Sequence, residues 1–341
     1  MNNCLHLNKF LAIGVGSLPH TQPVDACELV FGCLEGHIPF WPQLPKMRFR
    51  ENMYAQFSEN LPGLTIDEDA REIYINTAKD TYARELEAAY EHYLAEDLDY
   101  FAITEDYAAG LYEFIRRPSS SGLPFIKGQV IGPISFGLTV TDQNKRASIY
   151  NEEFRDCLIK VLAMRARWQI RKLRGASAGR RDTKIIIFID EPYLVSIGSS
   201  FFGLRPEAVS ALISELVEAI HKEGAFAGIH CCGNTDWGLV LKTAIDILNF
   251  DAYNYPETIF LYRRELDNFL ERGGVLAWGI VPSSPDEELP GQEALLEKMA
   301  RQKDYCLVSP SCGLSGVSLE RARKALEAAA AVAERLSERE E

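Results

Sequence analysis

The feature that most narrows the fold is a set of short apolar runs that do not alternate. Lys-Ile-Ile-Ile-Phe-Ile at 184–189 is the clearest of them. A strand with one face in water carries apolar residues at every second position, whereas a strand that is apolar throughout is covered on both faces, as parallel strands between helices are. Comparable runs lie at 10–15, 37–41, 125–131, 225–229, 245–250, 275–280 and 305–308. Helical patterns separate them. In 206–222 the apolar residues Val209, Leu212, Ile213, Leu216, Val217 and Ile220 form one stripe, with Pro206 suited to the first turn and Gly224 to the position just past the end. Residues 317–336, rich in Ala, Glu and Arg, read as a terminal helix. Repeated strand–helix units of this kind predict an α/β fold, a (β/α)8 TIM barrel, with an open doubly wound sheet as the alternative. The stretch 43–124 is too long for one unit. It holds another strand-like run at 100–104 and a hairpin pattern near 64–75, so an inserted segment is expected between the second and third strands. One barrel domain over 1–341 is the expected organisation, and 174–182 reads as a loop.

Composition excludes several classes of function. Lys and Arg number 36 against 49 Asp and Glu, a net charge of −13 without a basic block, which argues against nucleic acid as a partner. No apolar run approaches the roughly 20 residues of a membrane span, and the first residues lack a signal-peptide pattern. A cytoplasmic protein is expected. In that compartment the 8 cysteines are not a disulfide framework. Cys4, Cys27, Cys33 and Cys157 stand alone and read as small core residues or inert thiols.

Polar residues fall just past the apolar runs. Gly16-Ser17 follows the first, Asp190-Glu191-Pro192 the fourth and His230-Cys231-Cys232 the fifth. Asp251 follows the sixth, Ser283-Ser284 the seventh and Cys312-Gly313 the eighth. In a parallel barrel all these ends open on one face, where active sites are built. His230 and Cys232, two positions apart, share a side of an extended segment. With Cys312 they make a nitrogen-and-sulfur set suited to Zn2+, and Asp251 is the candidate for a fourth position. A chance cluster of buried residues is the competing explanation. Cys231 points the other way and reads as structural. Asp190 is placed to hold a substrate cation or manage a proton. Glu191 is read equally as a substrate contact and as a helix N-terminal acid beside Pro192. The turn at Gly14–Pro19 lacks the third glycine of a dinucleotide fingerprint and suits a carboxylate better. The cationic run from Arg165 to Arg174, with Arg180 and Arg181, precedes a strand, away from this face. It reads as a solvated surface, a dock for an acidic partner being the sharper alternative.

In order along the chain stand Gly-Ser-Leu-Pro (16–19), Met-Tyr-Ala-Gln-Phe (53–57), Gly-Pro-Ile-Ser (132–135), Asp-Glu-Pro (190–192), His-Cys-Cys (230–232) and Ser-Pro-Ser-Cys-Gly-Leu (309–314). This ordered set, spanning nearly the whole chain, resembles the C-terminal catalytic barrel of cobalamin-independent methionine synthase, within the uroporphyrinogen decarboxylase-like superfamily. The resemblance implies zinc held by His230, Cys232 and Cys312, with Asp251 at the position of the family's glutamate ligand. It implies a zinc-dependent methyltransferase acting on a small thiol, homocysteine or similar, with Gly16 and Ser17 at the substrate carboxylate and Asp190 at its amine. The family carries an acid shortly before its Met-x-x-x-Phe segment, and the first acid in the matching stretch here is Glu51. The family's seventh-strand histidine is absent from Trp278–Ser284. A methylated corrinoid protein is the expected methyl donor in place of a folate. A uroporphyrinogen decarboxylase-like lyase and a non-catalytic corrinoid- or thiol-binding barrel are the competing expectations.

Overall fold

Seven parallel strands form the main sheet of a computed structural model that describes residues 5–117, 124–176, 183–199, 202–299 and 306–340. In chain order these are β1 (Leu11–Ala12), β4 (Phe125–Ile131), β6 (Lys184–Asp190), β7 (Phe226–Cys231), β8 (Ile247–Phe250), β9 (Val275–Val281) and β10 (Leu307–Pro310). The hydrogen-bonded order is β1-β10-β9-β8-β7-β6-β4, every pairing parallel. A smaller mixed sheet holds β2 (Leu64–Asp67), antiparallel to β3 (Glu72–Ile75), which pairs in parallel with β5 (Thr141–Asp142). The antiparallel pair is the hairpin expected near 64–75.

The closed eight-stranded TIM barrel expected from the sequence is not what forms. The sheet has seven strands, and the run expected as the second strand, 37–41, makes only isolated bridges, Ile13 with Ile38 and Phe40 with Lys127. The sequence there is His-Ile-Pro-Phe-Trp-Pro at 37–42, and a proline has no N–H to give to a ladder. A few bonds remain: Ile38 N–H donates to the Ala12 carbonyl, Lys127 N–H to the Pro39 carbonyl and Trp41 N–H to the Lys127 carbonyl. The run at 100–104 is no strand either. Phe101 and Ala102 donate to Leu98 and Asp99, the three-residue reach of turns. Of the loop expected at 174–182, residues 177–182 lie outside the described residues, as do Cys4, Arg180, Arg181 and residue 305 of the last expected strand.

Both edges of the sheet bridge to the same segment, so the sheet curls. One buried cluster lies on its inner face and unites the edge residues Leu11, Ile13, Ile38 and Phe125 with Ile186, Phe188, Phe226, Ile247, Val275, Ala277 and Leu307. The helices cover the outer face. Helix Pro206–Lys222 buries the six residues of the sequence stripe, and Gly224 follows it at a φ of 66°. Helix Leu319–Glu340 packs on β10 and β1 at the edge of the sheet. Among the described residues no helix is long and apolar enough to cross a membrane.

Side chains of a strand alternate between faces, so stepping forward in twos from the inner cluster finds what that face becomes. Phe188 is followed by Asp190, Phe226 by Gly228 and then His230, and Ile247 by Asn249 and then Asp251. Asp190 stands opposite His230 in the β6–β7 register, and His230 opposite Asn249 in the β7–β8 register. The inner face is apolar at one end and polar at the C-terminal ends of the strands.

Candidate metal centre

At that polar end lies a cavity of about 310 Å³ lined by Ser17, Glu51, Asp190, His230, Cys232 and Cys312 among others. One ligand atom each of His230, Cys232 and Cys312 lies within 4.8 Å of the other two. His230, the next-to-last residue of β7, is 3% exposed, so its orientation is set by the strand and not by solvent. Its Nδ1 meets Asn249 Oδ1 at 2.6 Å, while its Nε2 is buried with no oxygen or nitrogen partner, the Cys232 sulfur being the ring's other polar neighbour. An imidazole nitrogen buried without a partner is costly unless something occupies it. Cys312 follows β10, where Ser311 N–H donates to the Val281 carbonyl and Leu314 N–H to Ser17, pinning the turn across two neighbours. These residues form a possible metal site, with the donor set of one imidazole and two thiols.

The electrostatics agree with that chemistry. A hydrogen bond from the Cys312 thiol, assisted by His230 against the cost of burial, holds the Cys232 thiol down to about 4. Cys312, as the donor of the pair and buried, is pushed up. Burial works against charge on His230, but Cys232, Asp190 and Asn249 outweigh it and its pKa is raised. A divalent cation would make both sulfurs thiolates and take the Nε2 lone pair. Cys231, on the opposite face of the strand, is fully buried, its thiol donating to the Gly233 carbonyl at 3.5 Å and pushed up to about 12 by burial. It packs as expected of a structural thiol.

Asp251 does not join this group. Its Oδ1 accepts the N–H groups of Tyr253 and Asn254 at 3.0 and 2.9 Å, and its Oδ2 accepts the Asn254 amide at 2.9 Å. Both oxygens are spent on a local turn, so the fourth ligand inferred from position is replaced by an Asx-type turn. Glu191 likewise is absent from the cavity lining. Its carboxylate accepts the N–H groups of Ile134 and Ser135 at 2.9 and 2.8 Å and the Ser135 hydroxyl at 2.6 Å, at the start of helix Pro133–Thr139. Burial still pushes it up to about 7. Gly132 makes room for it, since a Cβ there would lie 2.1 Å from the Glu191 carboxyl carbon. Glu191 is therefore a structural acid, though on the helix 133–139 and not the one beginning at Pro192.

Asp190, 5% exposed, lines the cavity with Oδ1 lacking a partner, and burial pushes it up to about 6 against the pull of Lys127 and His230. Ser17 also lines it, and its hydroxyl lies 2.2 Å from where a Cβ on Gly313 would stand, so position 313 has no space for a side chain. Gly16 does not line the cavity but shapes the turn: its φ is 155°, and its carbonyl accepts from Gln43 N–H at 3.0 Å.

Three site residues escape a reading by strand ends. Glu51 is fully buried in the wall of the cavity, accepts the Ala109 N–H at 2.7 Å, lies 3.6 Å from Arg48, and is pushed up to about 7 by burial. Lys127, in the middle of β4, is buried, donates to the Val15 carbonyl and to Gln129, and is brought down to about 7 by burial against the pull of Asp190. Asn249 is the third. Lys127 and Asn249 each interrupt an apolar run, which is the signal that could have found them; Glu51 stands among polar residues and carries no such signal.

No family model matches the chain, and no curated protein matches it. Among solved structures it is similar to 3-keto-D-glucoside 4-epimerase YcjR from E. coli in its apo form, at 14% identity and a TM-score of 0.39, over 66% of this chain and 84% of that one. A likeness of that size assigns no activity here. The matched protein is an epimerase; the thiol methyltransferase expected from the sequence finds no support among the comparisons and is not carried further.

Proposed function

We propose that this chain holds Zn2+ through His230, Cys232 and Cys312 and captures a small amino-thiol in the cavity as its thiolate. The observation that carries the proposal is the convergence of the three ligand atoms within 4.8 Å at the wall of a cavity that also holds Asp190 and Glu51. Zinc with three protein ligands keeps a fourth position for water or substrate, and a thiol bound there loses its proton and is a nucleophile at neutral pH. With Asp251 engaged in its own turn, that position is free for a substrate sulfur.

The rest of the cavity selects what carries the sulfur. Among the described residues lining it there is no Lys or Arg. Asp190 and Glu51 are both pushed up by burial, a sign that the charge around them falls short of what would keep two carboxylates ionised. An ammonium group on the substrate supplies it. The Ser17 hydroxyl is placed to donate to an anionic end. A polyacid of the decarboxylase kind would need cations where this cavity has carboxylates. The zinc–thiol part of the resemblance to cobalamin-independent methionine synthase is retained in this proposal and the methyl-transfer part is not.

Metal analysis with cobalt substitution tests it. About one zinc per chain is expected, lost in Cys232→Ser and Cys312→Ser. The Co2+-loaded protein should gain sulfur-to-cobalt absorption when an amino-thiol is added, and should respond less to a thiol without an amine. Protein that stays metal-free in excess zinc, or a cobalt spectrum indifferent to every thiol, overturns the proposal.

A further inference from the structure

We propose that Asn249 is a positioning residue that fixes the tautomer of His230, so that Nε2 presents a lone pair to the metal; this rests on the zinc proposal for its consequence but not for its structural content. Asn249 is fully buried in β8. Its Nδ2 lies 2.9 Å from the Ala277 carbonyl oxygen and 2.8 Å from Ser309 Oγ. A carbonyl oxygen can only accept. Ser309 has one hydroxyl proton, and it is directed to the Pro310 carbonyl at 3.0 Å, so Ser309 too accepts from Asn249. Both neighbours thus require the NH2 group of the amide on their side. The amide cannot be flipped, and Oδ1 faces His230 Nδ1 at 2.6 Å.

An amide oxygen has no proton to give, so Nδ1 must carry the hydrogen and donate it. In the neutral ring Nε2 is then the bare nitrogen, buried with no oxygen or nitrogen partner and only sulfur for a polar neighbour. The chain Pro310 carbonyl–Ser309–Asn249–His230 crosses β10, β9, β8 and β7, so the sheet itself holds the imidazole in the ligating tautomer. Outer partners of metal-bound histidines act in this way, and their loss typically costs about 10- to 100-fold in metal affinity.

Two variants and two readouts test the inference. In metal-free protein with 15N-labelled histidine, titrated upward until the nitrogen shifts report a neutral ring, His230 should be protonated at Nδ1 alone. Asn249→Leu removes the acceptor and should populate the Nε2–H tautomer and weaken zinc binding about 10- to 100-fold in chelator competition. Asn249→Asp keeps an acceptor for Nδ1–H but loses both donations to the neighbouring strands. It should melt lower than wild type yet keep the tautomer and most of the affinity, a separation that a merely structural role for Asn249 would not give. A wild-type ring protonated at Nε2, an unchanged tautomer in a folded Asn249→Leu protein, or equal zinc affinity in wild type and Asn249→Leu overturns it. If wild type binds no zinc at all, the proposed function fails while the tautomer measurement still decides this inference.

Discussion

Glu51 shows how much a single buried acid can contribute to the pH response of the whole chain. Its carboxyl sits at about 7 in the folded protein against an ordinary value of 4.5, because burial outweighs the Ala109 N–H and Arg48. A raised folded pKa means that the native state binds the proton more tightly than the unfolded chain does. The resulting stabilisation is complete below about pH 4.5 and is lost as pH rises through about 7, an effect of up to about 3 kcal/mol. Glu51→Gln cannot titrate, so denaturant melts of the metal-free variant across this window should show a shallower fall than wild type, whatever the offset between them. Identical slopes would mean that Glu51 is ionised throughout. The residues also divide by how visible they are in a sequence. His230, Cys232, Cys312 and Asp190 stand at the ends of apolar runs, where topology alone sends them to one face. Asp251 stands at such an end as well, but Asn254 three residues on closes a turn on it, and local hydrogen bonding decided its role. Asn249 and Lys127 lie inside strands, and their part in the site appears only once strand register sets Asn249 beside His230 and the folded sheet brings Lys127 within electrostatic reach of Asp190.

Among the elements, the segment 37–43 best explains the shape of the sheet. Its apolar run is strand-like, and the sequence pattern alone predicts a strand there, but Pro39 and Pro42 remove two of the N–H groups a regular ladder would use. What remains is an irregular crossing held by isolated bridges to Ile13, Lys127 and Ser17. Helix Ala109–Arg116 closes over it at Gly110, where an added Cβ would lie 1.9 Å from the Pro42 carbonyl oxygen. The obstacle is backbone and cannot turn aside. Gly110→Ala should therefore destabilise the protein by about 2–3 kcal/mol or more in urea melts, the cost of overpacking, although alanine is normally the better helix former. Unchanged stability would show that this helix is free to move off the segment. Elements with agreeing signals were legible: in Pro206–Lys222 the stripe, the proline and the glycine all mark the same helix, and the hairpin at β2–β3 lies in the 64–75 stretch where one is expected.

At the level of the whole molecule, residues far apart in the chain are gathered by parallel strands that all end at one side, and the inner face passes from a dry apolar layer to a cavity with carboxylates, an imidazole and two thiols. The dry layer beneath keeps the polar groups of the cavity poorly solvated, which raises both the cost of leaving Nε2 bare and the gain from a bound cation. The ends of the apolar runs located the donor set, whereas the extent of the sheet and the engagement of Asp251 were beyond them, since both depend on backbone bonding that motifs do not encode. The central claim is that the site holds zinc with a position open to substrate sulfur. X-ray absorption at the zinc edge, recorded with and without an amino-thiol, tests it most directly. Two sulfur neighbours at about 2.3 Å and one imidazole are predicted in the resting protein, with a third sulfur at the same distance after the thiol is added. A sulfur shell that does not grow, or zinc bound without sulfur neighbours, would contradict it.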